Sequence, residues 1–238
     1  MATQRRLLLI SNSTNHGQGY LDHCLAEIDD FLAPARRLVF VPFALADHRG
    51  YGAKVARRLA DIGVEAATLT PDAAGERLLR EAEAVFVGGG NTFRLLKTLQ
   101  DTGHLEILRE RARAGMPYIG SSAGTNLATP TIRTTNDMPI VEPRSLDALR
   151  LVPFQINPHY LDADPSSTHM GETREERLMQ FHEENETPVV GLREGAWVRA
   201  EGDAGRLGGQ RGARIFRRGQ TPEERRAGAS LDDLLRGS

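Results

Sequence analysis

The chain of 238 residues contains 39% hydrophobic and 26% charged residues and carries a formal net charge of −2. These values are typical of a globular protein and exclude a disordered, collagenous or coiled-coil chain. A chain of this length buries one large core, so we expect a single α/β domain over residues 1–238. The balanced charge provides no overall field for nucleic acid or an anionic membrane, and neither partner is expected.

Short apolar runs alternate with amphipathic stretches through the first half of the chain. The apolar runs predict strands at 7–10, 38–43, 64–69, 84–87 and 118–119. The amphipathic stretches predict helices at 20–32, 51–61 and 95–114. Such alternation is typical of crossover units around a parallel sheet. The first half therefore predicts a doubly wound α/β sheet.

The pattern changes after about residue 129. Further strands are predicted at 131–136, 151–156, 188–192, 196–200 and 214–217, with a helix at 172–184. We expect antiparallel strands in this half to extend the sheet at one edge. The tail from about residue 217 is rich in arginine, glutamate and glycine and is expected to be mobile, with a short docking helix at 231–235.

The cysteine content and the N-terminal residues indicate in which cellular compartment the protein is expected. The single cysteine, Cys24, cannot form an intrachain disulfide or a cysteine-based metal site. The charged N-terminal residues precede only the short apolar run at 7–10, which is too short for a signal sequence or a membrane span. We therefore expect a cytoplasmic protein. The sequence has no H-E-x-x-H motif and no Cys/His cluster, so neither a metal nor another cofactor is expected.

The sharpest local motif is Gly-Ser-Ser-Ala-Gly at 120–124. It follows a predicted strand and precedes residues that can open a helix, which is the context of a nucleophile elbow. Small residues at 120 and 124 fit the sharp turn that exposes the central side chain. Ser122 is therefore the candidate nucleophile. On the pentapeptide alone, a loop that caps a helix is an equally good interpretation.

A serine nucleophile needs a general base, and the base needs an orienting group. Among seven histidines, His159 stands out because it follows an apolar run, and α/β folds place their sites at strand ends. Glu194 has a similar position and is the candidate orienting acid, although a glutamate in a turn is usually solvated. The order Ser, His, Glu differs from that of α/β-hydrolases, so the elbow belongs to another α/β scaffold.

A second glycine cluster, Gly-Gly-Gly-Asn-Thr at 88–92, lies between a predicted strand and a predicted helix. Exposed backbone N–H groups at such a turn favour a phosphate or an oxyanion. The cluster lacks the spacing of a dinucleotide fingerprint and the lysine of a P-loop. With Ser122 nearby we expect an oxyanion site, with the N–H of Ala123 as a partner donor. The alternative is a strained turn that needs glycine.

Six motifs together resemble the peptidase E family of aspartyl dipeptidases. They are Ser-Asn-Ser-Thr at 11–14, the glycine cluster at 88–92, Tyr-Ile-Gly at 118–120 with Ser-Ala-Gly at 122–124, Pro-Thr-Ile-Arg-Thr-Thr-Asn-Asp-Met-Pro at 130–139, Gln-Ile-Asn-Pro-His at 155–159 and Gly-Glu-Thr-Arg-Glu at 171–175. The resemblance extends from about residue 7 to about residue 200, and the block at 130–139 is its most specific part. One departure is Ser121, where related enzymes carry a bulky aromatic residue.

The resemblance implies a class I glutamine-amidotransferase-like, flavodoxin-like fold with a Ser-His-Glu triad. In this sequence the triad would be Ser122, His159 and Glu194, with Gly90 and Ala123 as the oxyanion donors. The implied activity is hydrolysis of dipeptides that begin with aspartate. The expected partner is therefore a small Asp-Xaa peptide, bound by a monomer or a homodimer.

Selection of an N-terminal aspartate requires a cation for its side chain and an acceptor for its free amine. Arg174 is the candidate cation because a guanidinium holds a carboxylate with two parallel hydrogen bonds. Sequence alone favours a surface arginine paired with Glu175 or Glu176. Asp137 is the candidate residue for binding the amine or shaping the pocket, and the alternative is a simple turn residue.

Two other functions fit some of the same motifs. A cyanophycinase-like exopeptidase would share the fold and triad but act on Asp-Arg peptides. A non-catalytic flavodoxin-like module would bind a phosphate or another ligand at 88–92 and use 120–124 only as a turn. An amidotransferase or cysteine hydrolase is disfavoured because Ser122 stands where a cysteine would be needed.

Overall fold

The computed structural model describes residues 5–164, 166, 168 and 170–236, which form eleven strands and eight helices. The strands are β1 (Arg6–Ile10), β2 (Arg37–Val41), β3 (Glu65–Thr68), β4 (Val85–Val87), β5 (Tyr118–Ser121), β6 (Gln155–Tyr160), β7 (Val189–Arg193), β8 (Ala196–Glu201), β9 (Ala204–Gly209), β10 (Ala213–Phe216) and β11 (Glu223–Arg225). The helices are α1 (Leu25–Leu32), α2 (His48–Ala60), α3 (Ala73–Arg80), α4 (Thr92–Thr102), α5 (His104–Arg113), α6 (Ala123–Leu127), α7 (Arg174–Glu184) and α8 (Asp232–Arg236). None of the helices in this described part of the chain is long and apolar enough to cross a membrane.

A seven-stranded sheet with the order β3-β2-β4-β5-β1-β8-β9 lies at the centre of the fold. The five strands from β3 to β1 pair in parallel, and β8 and β9 pair antiparallel at one edge. The predicted doubly wound, mostly parallel α/β sheet with antiparallel edge strands is confirmed. Parallel pairing brings the carboxyl ends of β1, β4 and β5 to the same edge, where α/β folds bind ligands.

The central strands are buried on both faces. In β1, Leu7 and Leu9 belong to one buried cluster, whereas Leu8 and Ile10 belong to another. Residues of α1 and α2 complete the second cluster, and residues of α3, α4 and α5 contribute to the first. A sheet covered by helices on both sides requires strands that are apolar at successive positions. This requirement is why the apolar runs in the sequence predicted the strands.

A second sheet of four strands, in the order β11-β10-β7-β6, was not predicted. We expected the strands of the second half to extend the central sheet, but only β8 and β9 do so. A two-residue turn, Glu194-Gly195, joins β7 in the second sheet to β8 in the first, and Gly195 adopts φ +80°. Residues of β6, β7 and β10 share a buried cluster with β1, which packs the two sheets together.

The predicted and the observed elements differ at several places. The helix predicted at 95–114 is two helices, because Gly103 adopts a left-handed conformation with φ +76° between α4 and α5. Helix α3 and strands β9 and β11 were not predicted, and the strand predicted at 151–156 is found at Gln155–Tyr160 as β6. The strand predicted at 131–136 is replaced by turns, since Thr134 Oγ1 donates to the carbonyl of Ile156 and Asn157 Nδ2 donates to the carbonyl of Thr134.

The C-terminal tail packs on the core in the structure, whereas the sequence suggested a mobile segment. Leu231, Leu234 and Leu235 are buried, and a Cβ added at Gly205 of β9 would come within 2.5 Å of a Leu235 methyl carbon. Arg225 of β11 donates to Asp233 of α8. The apolar residues thus outweigh the polar composition that suggested mobility. The short helix predicted at 231–235 agrees with α8 to within one residue.

Candidate active site

A cavity of about 630 Å³ opens at the carboxyl edge of the central sheet. The cavity is lined by segments that follow β1, β2, β4 and β5, by His159 of β6 and by one side of α2. Its lining residues include Asn12, Ser13, Thr14, Tyr20, Asp47, Tyr51, Lys54, Gly89, Gly90, Ser122, Asp137 and His159. Several of the residues predicted from separate motifs therefore meet in one space.

Ser122 occupies a sharp turn between β5 and α6. Its backbone has φ 52° and ψ −106°, a strained conformation for a residue with a side chain. A Cβ added at Gly120 would overlap the carbonyl oxygen of Gly124, and one added at Gly124 would overlap that of Val87. The predicted need for small residues on either side of Ser122 is therefore confirmed. The adjacent Ser121 is fully buried, and its hydroxyl has no hydrogen-bond partner among the described residues.

Ser122, His159 and Glu194 form a continuous hydrogen-bonded chain. The distance from His159 Nε2 to Ser122 Oγ is 3.0 Å, and that from His159 Nδ1 to Glu194 Oε1 is 2.7 Å. An ionised carboxylate only accepts hydrogen bonds, so Nδ1 carries the proton and Nε2 is left to accept from the serine hydroxyl. Ser122 directly follows β5 of the central sheet, His159 lies in β6 of the second sheet, and Glu194 lies in the turn that joins the two sheets.

Two buried polar residues at the end of β1 position the histidine and the glutamate. Ser11 Oγ accepts from the backbone N–H of His159 at 2.9 Å and donates to the carbonyl of Leu192 at 2.8 Å. Asn12 Oδ1 accepts from the N–H of Gly195 at 2.7 Å, which holds the turn that contains Glu194. Both residues belong to the motif at 11–14, which by itself indicated no role for them. The feature of the sequence that could have indicated their roles is that two polar residues directly follow a buried strand.

Two backbone N–H groups beside Ser122 remain free to donate. Neither the N–H of Gly90 nor that of Ala123 has a hydrogen-bond partner among the described residues. By contrast, the N–H of Gly89 donates to Tyr51 Oη at 2.9 Å, and that of Ser122 donates to a carbonyl of β1. Burial raises the pKa of Tyr51, which keeps its phenol neutral. The N–H groups of Gly90 and Ala123 therefore stay candidate donors for an oxyanion.

Asp137 lies in the same cavity as Ser122. Its Oδ2 accepts from the backbone N–H of Thr92 at 2.8 Å and from Thr92 Oγ1 at 2.5 Å, at the N-terminus of α4. The neighbouring Asn136 donates to the carbonyl of Pro158 at 2.7 Å. These contacts tie the segment around residue 137 to both the glycine cluster and β6, and they place a carboxylate close to the triad.

Arg174 is the first residue of α7 and is not among the described residues that line the cavity. Burial lowers the pKa of its guanidinium. The surface pairing that sequence alone favoured is not formed, because Glu175 pairs with Arg214 at 2.7 Å and Glu176 closes a capping box with Thr173. Among the described residues, Arg174 therefore has no carboxylate partner, and its role stays a prediction.

Known proteins with similar sequences are peptidases. The model of peptidase family S51 matches residues 7–208. Peptidase E of Streptomyces coelicolor is 59% identical over 96% of this chain and 94% of its own length. A probable alpha-aspartyl dipeptidase of Drosophila melanogaster is 49% identical over 99% of both chains. Peptidase E of Salmonella typhimurium is 44% identical over 90% of this chain and 94% of its own length.

Solved structures with lower sequence identity share the fold. A peptidase from an acI-B1 Actinobacterium superposes with a TM-score of 0.71 at 16% identity, over 95% of this chain and 96% of that one. A putative peptidase E from Listeria monocytogenes superposes with a TM-score of 0.62 at 23% identity, over 93% and 98%. With a family model that covers most of its length and relatives that align almost from end to end, this chain belongs to peptidase family S51.

Proposed function

We propose that this protein is a serine exopeptidase that hydrolyses dipeptides with an N-terminal aspartate through an acyl-enzyme. The observation that carries the proposal is the hydrogen-bonded chain of Ser122, His159 and Glu194 beside two free N–H groups. The names of the relatives, Peptidase E and alpha-aspartyl dipeptidase, support the substrate class. They do not favour the cyanophycinase-like or the non-catalytic alternative.

In the proposed first half-reaction, Ser122 Oγ attacks the carbonyl carbon of the aspartyl residue. His159 Nε2 takes the hydroxyl proton as the bond forms, and the Glu194 carboxylate stabilises the imidazolium. The carbonyl oxygen gains negative charge and accepts from the N–H groups of Gly90 and Ala123. These donors are fixed in place before the substrate arrives, so little reorganisation accompanies the charge.

The first half-reaction ends when His159 gives its proton to the nitrogen of the leaving amino acid and the peptide bond breaks, which leaves the acyl-enzyme. The second half-reaction hydrolyses this acyl-enzyme. His159 then takes a proton from water, whose oxygen attacks the aspartyl ester, and returns the proton to Ser122 Oγ. Aspartate leaves, and the triad recovers its starting protonation. Each turnover therefore consumes one dipeptide and one water and releases two amino acids.

Recognition of the aspartyl residue is assigned to two charged side chains. Asp137 supplies negative charge inside the cavity for the free amine, and Thr92 holds its carboxylate in place. Arg174, half-buried and without an acidic partner among the described residues, is proposed to bind the side-chain carboxylate. A carboxylate that loses its hydration in a cavity needs such a cation.

A panel of four peptides tests the proposed function. We expect rapid hydrolysis of Asp-Leu and much slower hydrolysis of Glu-Leu, Asn-Leu and N-acetyl-Asp-Leu, measured as release of leucine. Asn-Leu removes the side-chain charge, and the acetyl group removes the charge of the amine. Equal rates on Asp-Leu and N-acetyl-Asp-Leu would contradict an exopeptidase that recognises the free amine.

Replacement of Arg174 by methionine is expected to lower kcat/KM for Asp-Leu about 30-fold or more, because loss of one partner of a desolvated ion pair leaves the other charge uncompensated. Asn-Leu should be affected far less. The matched control is Arg177→Met, one turn along α7, where the exposed guanidinium lies 3.6 Å from Glu172. A small or equal effect on the two substrates would remove Arg174 from substrate binding and direct attention to Arg133.

Activity is expected to survive exhaustive dialysis against EDTA. Ser122 and His159 supply the nucleophile and the base, and within the described ranges no group of three or more His, Cys, Asp or Glu side chains is placed to hold a metal. The measurement is Asp-Leu hydrolysis before and after dialysis, with a sample dialysed without chelator as the control. Activity that depends on added zinc or manganese would overturn the serine mechanism.

We also propose a cytoplasmic location and a peptide as the sole class of partner. The single cysteine, Cys24, is buried and free, which is compatible with a reducing compartment. The net charge of −2 gives no support to nucleic acid or membrane binding. The proposed assembly is a monomer or a homodimer, and light scattering after size-exclusion chromatography will distinguish the two.

A further inference from the structure

An Asp-Xaa dipeptide carries a charge for which the assignments above provide no partner. Asp137 and Arg174 account for the amine and the side chain of the first residue. The second residue ends in a free carboxylate, which also loses water when it enters the cavity. A desolvated carboxylate without a cation binds poorly. The structure should therefore contain a second cation that the substrate can reach.

Lys54 is the one cationic residue among the described residues that line the cavity around Ser122 and His159. It lies on α2, one turn after Tyr51, which accepts the N–H of Gly89. Lys54 is exposed rather than enclosed by protein. Its ammonium group is consequently available to a ligand that occupies the cavity.

The charge of Lys54 is not compensated by a neighbouring acid. Its Nζ lies 4.3 Å from the centre of the Tyr20 ring, and among the described residues it forms no salt bridge. The two acids that line the same cavity have other partners. Asp47 accepts from the N–H of Gly50 at 2.8 Å, and Asp137 accepts from Thr92. The aromatic ring thus holds the ammonium group without neutralising it.

Lys54 lines the same cavity as the nucleophile and the general base. The strand order β4-β5-β1 puts the elbow between the segment after β4, which carries Gly90, and the segment after β1, which carries Tyr20. Ser11, in the same segment as Tyr20, holds the backbone of His159. Because His159 protonates the leaving nitrogen, the second residue must enter the cavity that His159 and Lys54 both line.

We propose that Lys54 binds the C-terminal carboxylate of the dipeptide. This assignment rests on the proposed dipeptidase activity and deepens it. A longer peptide would place a neutral amide opposite the ammonium group and lose the ion pair, so Lys54 favours dipeptides over longer chains. Lys54 is a residue that determines specificity and takes no part in bond making or breaking.

The test compares Asp-Leu with Asp-leucinamide, which has a neutral C-terminus, in the wild type and in Lys54→Met. The variant should raise KM for Asp-Leu about tenfold with little change in kcat, because one charge-assisted contact to the ground state is lost. It should leave the kinetics for Asp-leucinamide unchanged. Lys54→Arg should retain the preference for the free carboxylate.

The control variant is Lys97→Met, since Lys97 is the other lysine of the chain and pairs with Asp101 on α4 at 2.9 Å, away from the cavity. Equal effects of Lys54→Met on the two substrates would overturn the assignment. A large effect of Lys54→Met on Asp-Leu and Asp-leucinamide, with none on Asn-Leu, would also overturn the assignment, because it would show that Lys54 contacts the aspartyl side chain of the substrate. Failure of the wild type to cleave either aspartyl substrate would instead contradict the proposed dipeptidase activity.

Discussion

Ser122→Ala is expected to lower kcat for Asp-Leu by about 10⁶-fold, the loss found when the nucleophile of a serine protease triad is removed. The substitution deletes one oxygen atom, the one that lies 3.0 Å from His159 Nε2, and leaves the backbone of the elbow in place. The cavity and its charged residues should still bind the peptide, so KM should change little. Steady-state hydrolysis of Asp-Leu, with thermal unfolding of the variant alongside, provides the measurement.

Ser121→Ala is the matched control for this prediction. The Ser121 hydroxyl is fully buried and has no hydrogen-bond partner among the described residues. Its removal therefore deletes a polar group whose lost hydration is not offset by a hydrogen bond in the folded protein. Activity should stay within about threefold of the wild type, and the melting temperature should hold or rise. Equal losses at Ser121 and Ser122, or full activity of Ser122→Ala, would contradict the assignment of the nucleophile.

Glu194→Gln is expected to lower kcat for Asp-Leu by about 10³-fold. A carboxylate-to-amide change at the corresponding place in a serine protease triad costs about 10⁴. The loss should be smaller here because 47% of the Glu194 side chain is exposed, and water screens part of its interaction with the imidazolium. The backbone of His159 remains held by Ser11, so the histidine stays near Ser122 in the variant.

A glutamate outside the site provides the comparison for this variant. Glu76→Gln breaks the exposed pair with Arg80 on α3 and should leave kcat unchanged. For Glu194→Gln the change should appear in kcat and not in KM, because Glu194 is not assigned a contact with the substrate. A loss below about tenfold would show that Ser11 and the packing of β6 orient His159 without the carboxylate.

Features whose causes lie within a few residues could be predicted from the sequence. The elbow around Ser122 needs only a strand, small residues and a helix start in succession. The apolar run at 7–10 was predicted as a strand because β1 is buried on both faces. The family motifs also indicated His159 and Glu194, although their positions in the sequence say nothing about the distance between them.

Tertiary structure decided what depends on residues far apart in the chain. A strand's apolar pattern does not specify its partner, so the second sheet was missed, and with it the turn that carries Glu194 between the sheets. The same limit applied to Ser11, whose role depends on contacts across 148 residues to His159 and 181 residues to Leu192. Lys54 acquires its position over Tyr20 only when α2 packs beside the segment after β1. Contacts of this kind follow from how the sheets and helices pack together, and no local pattern of residues encodes them.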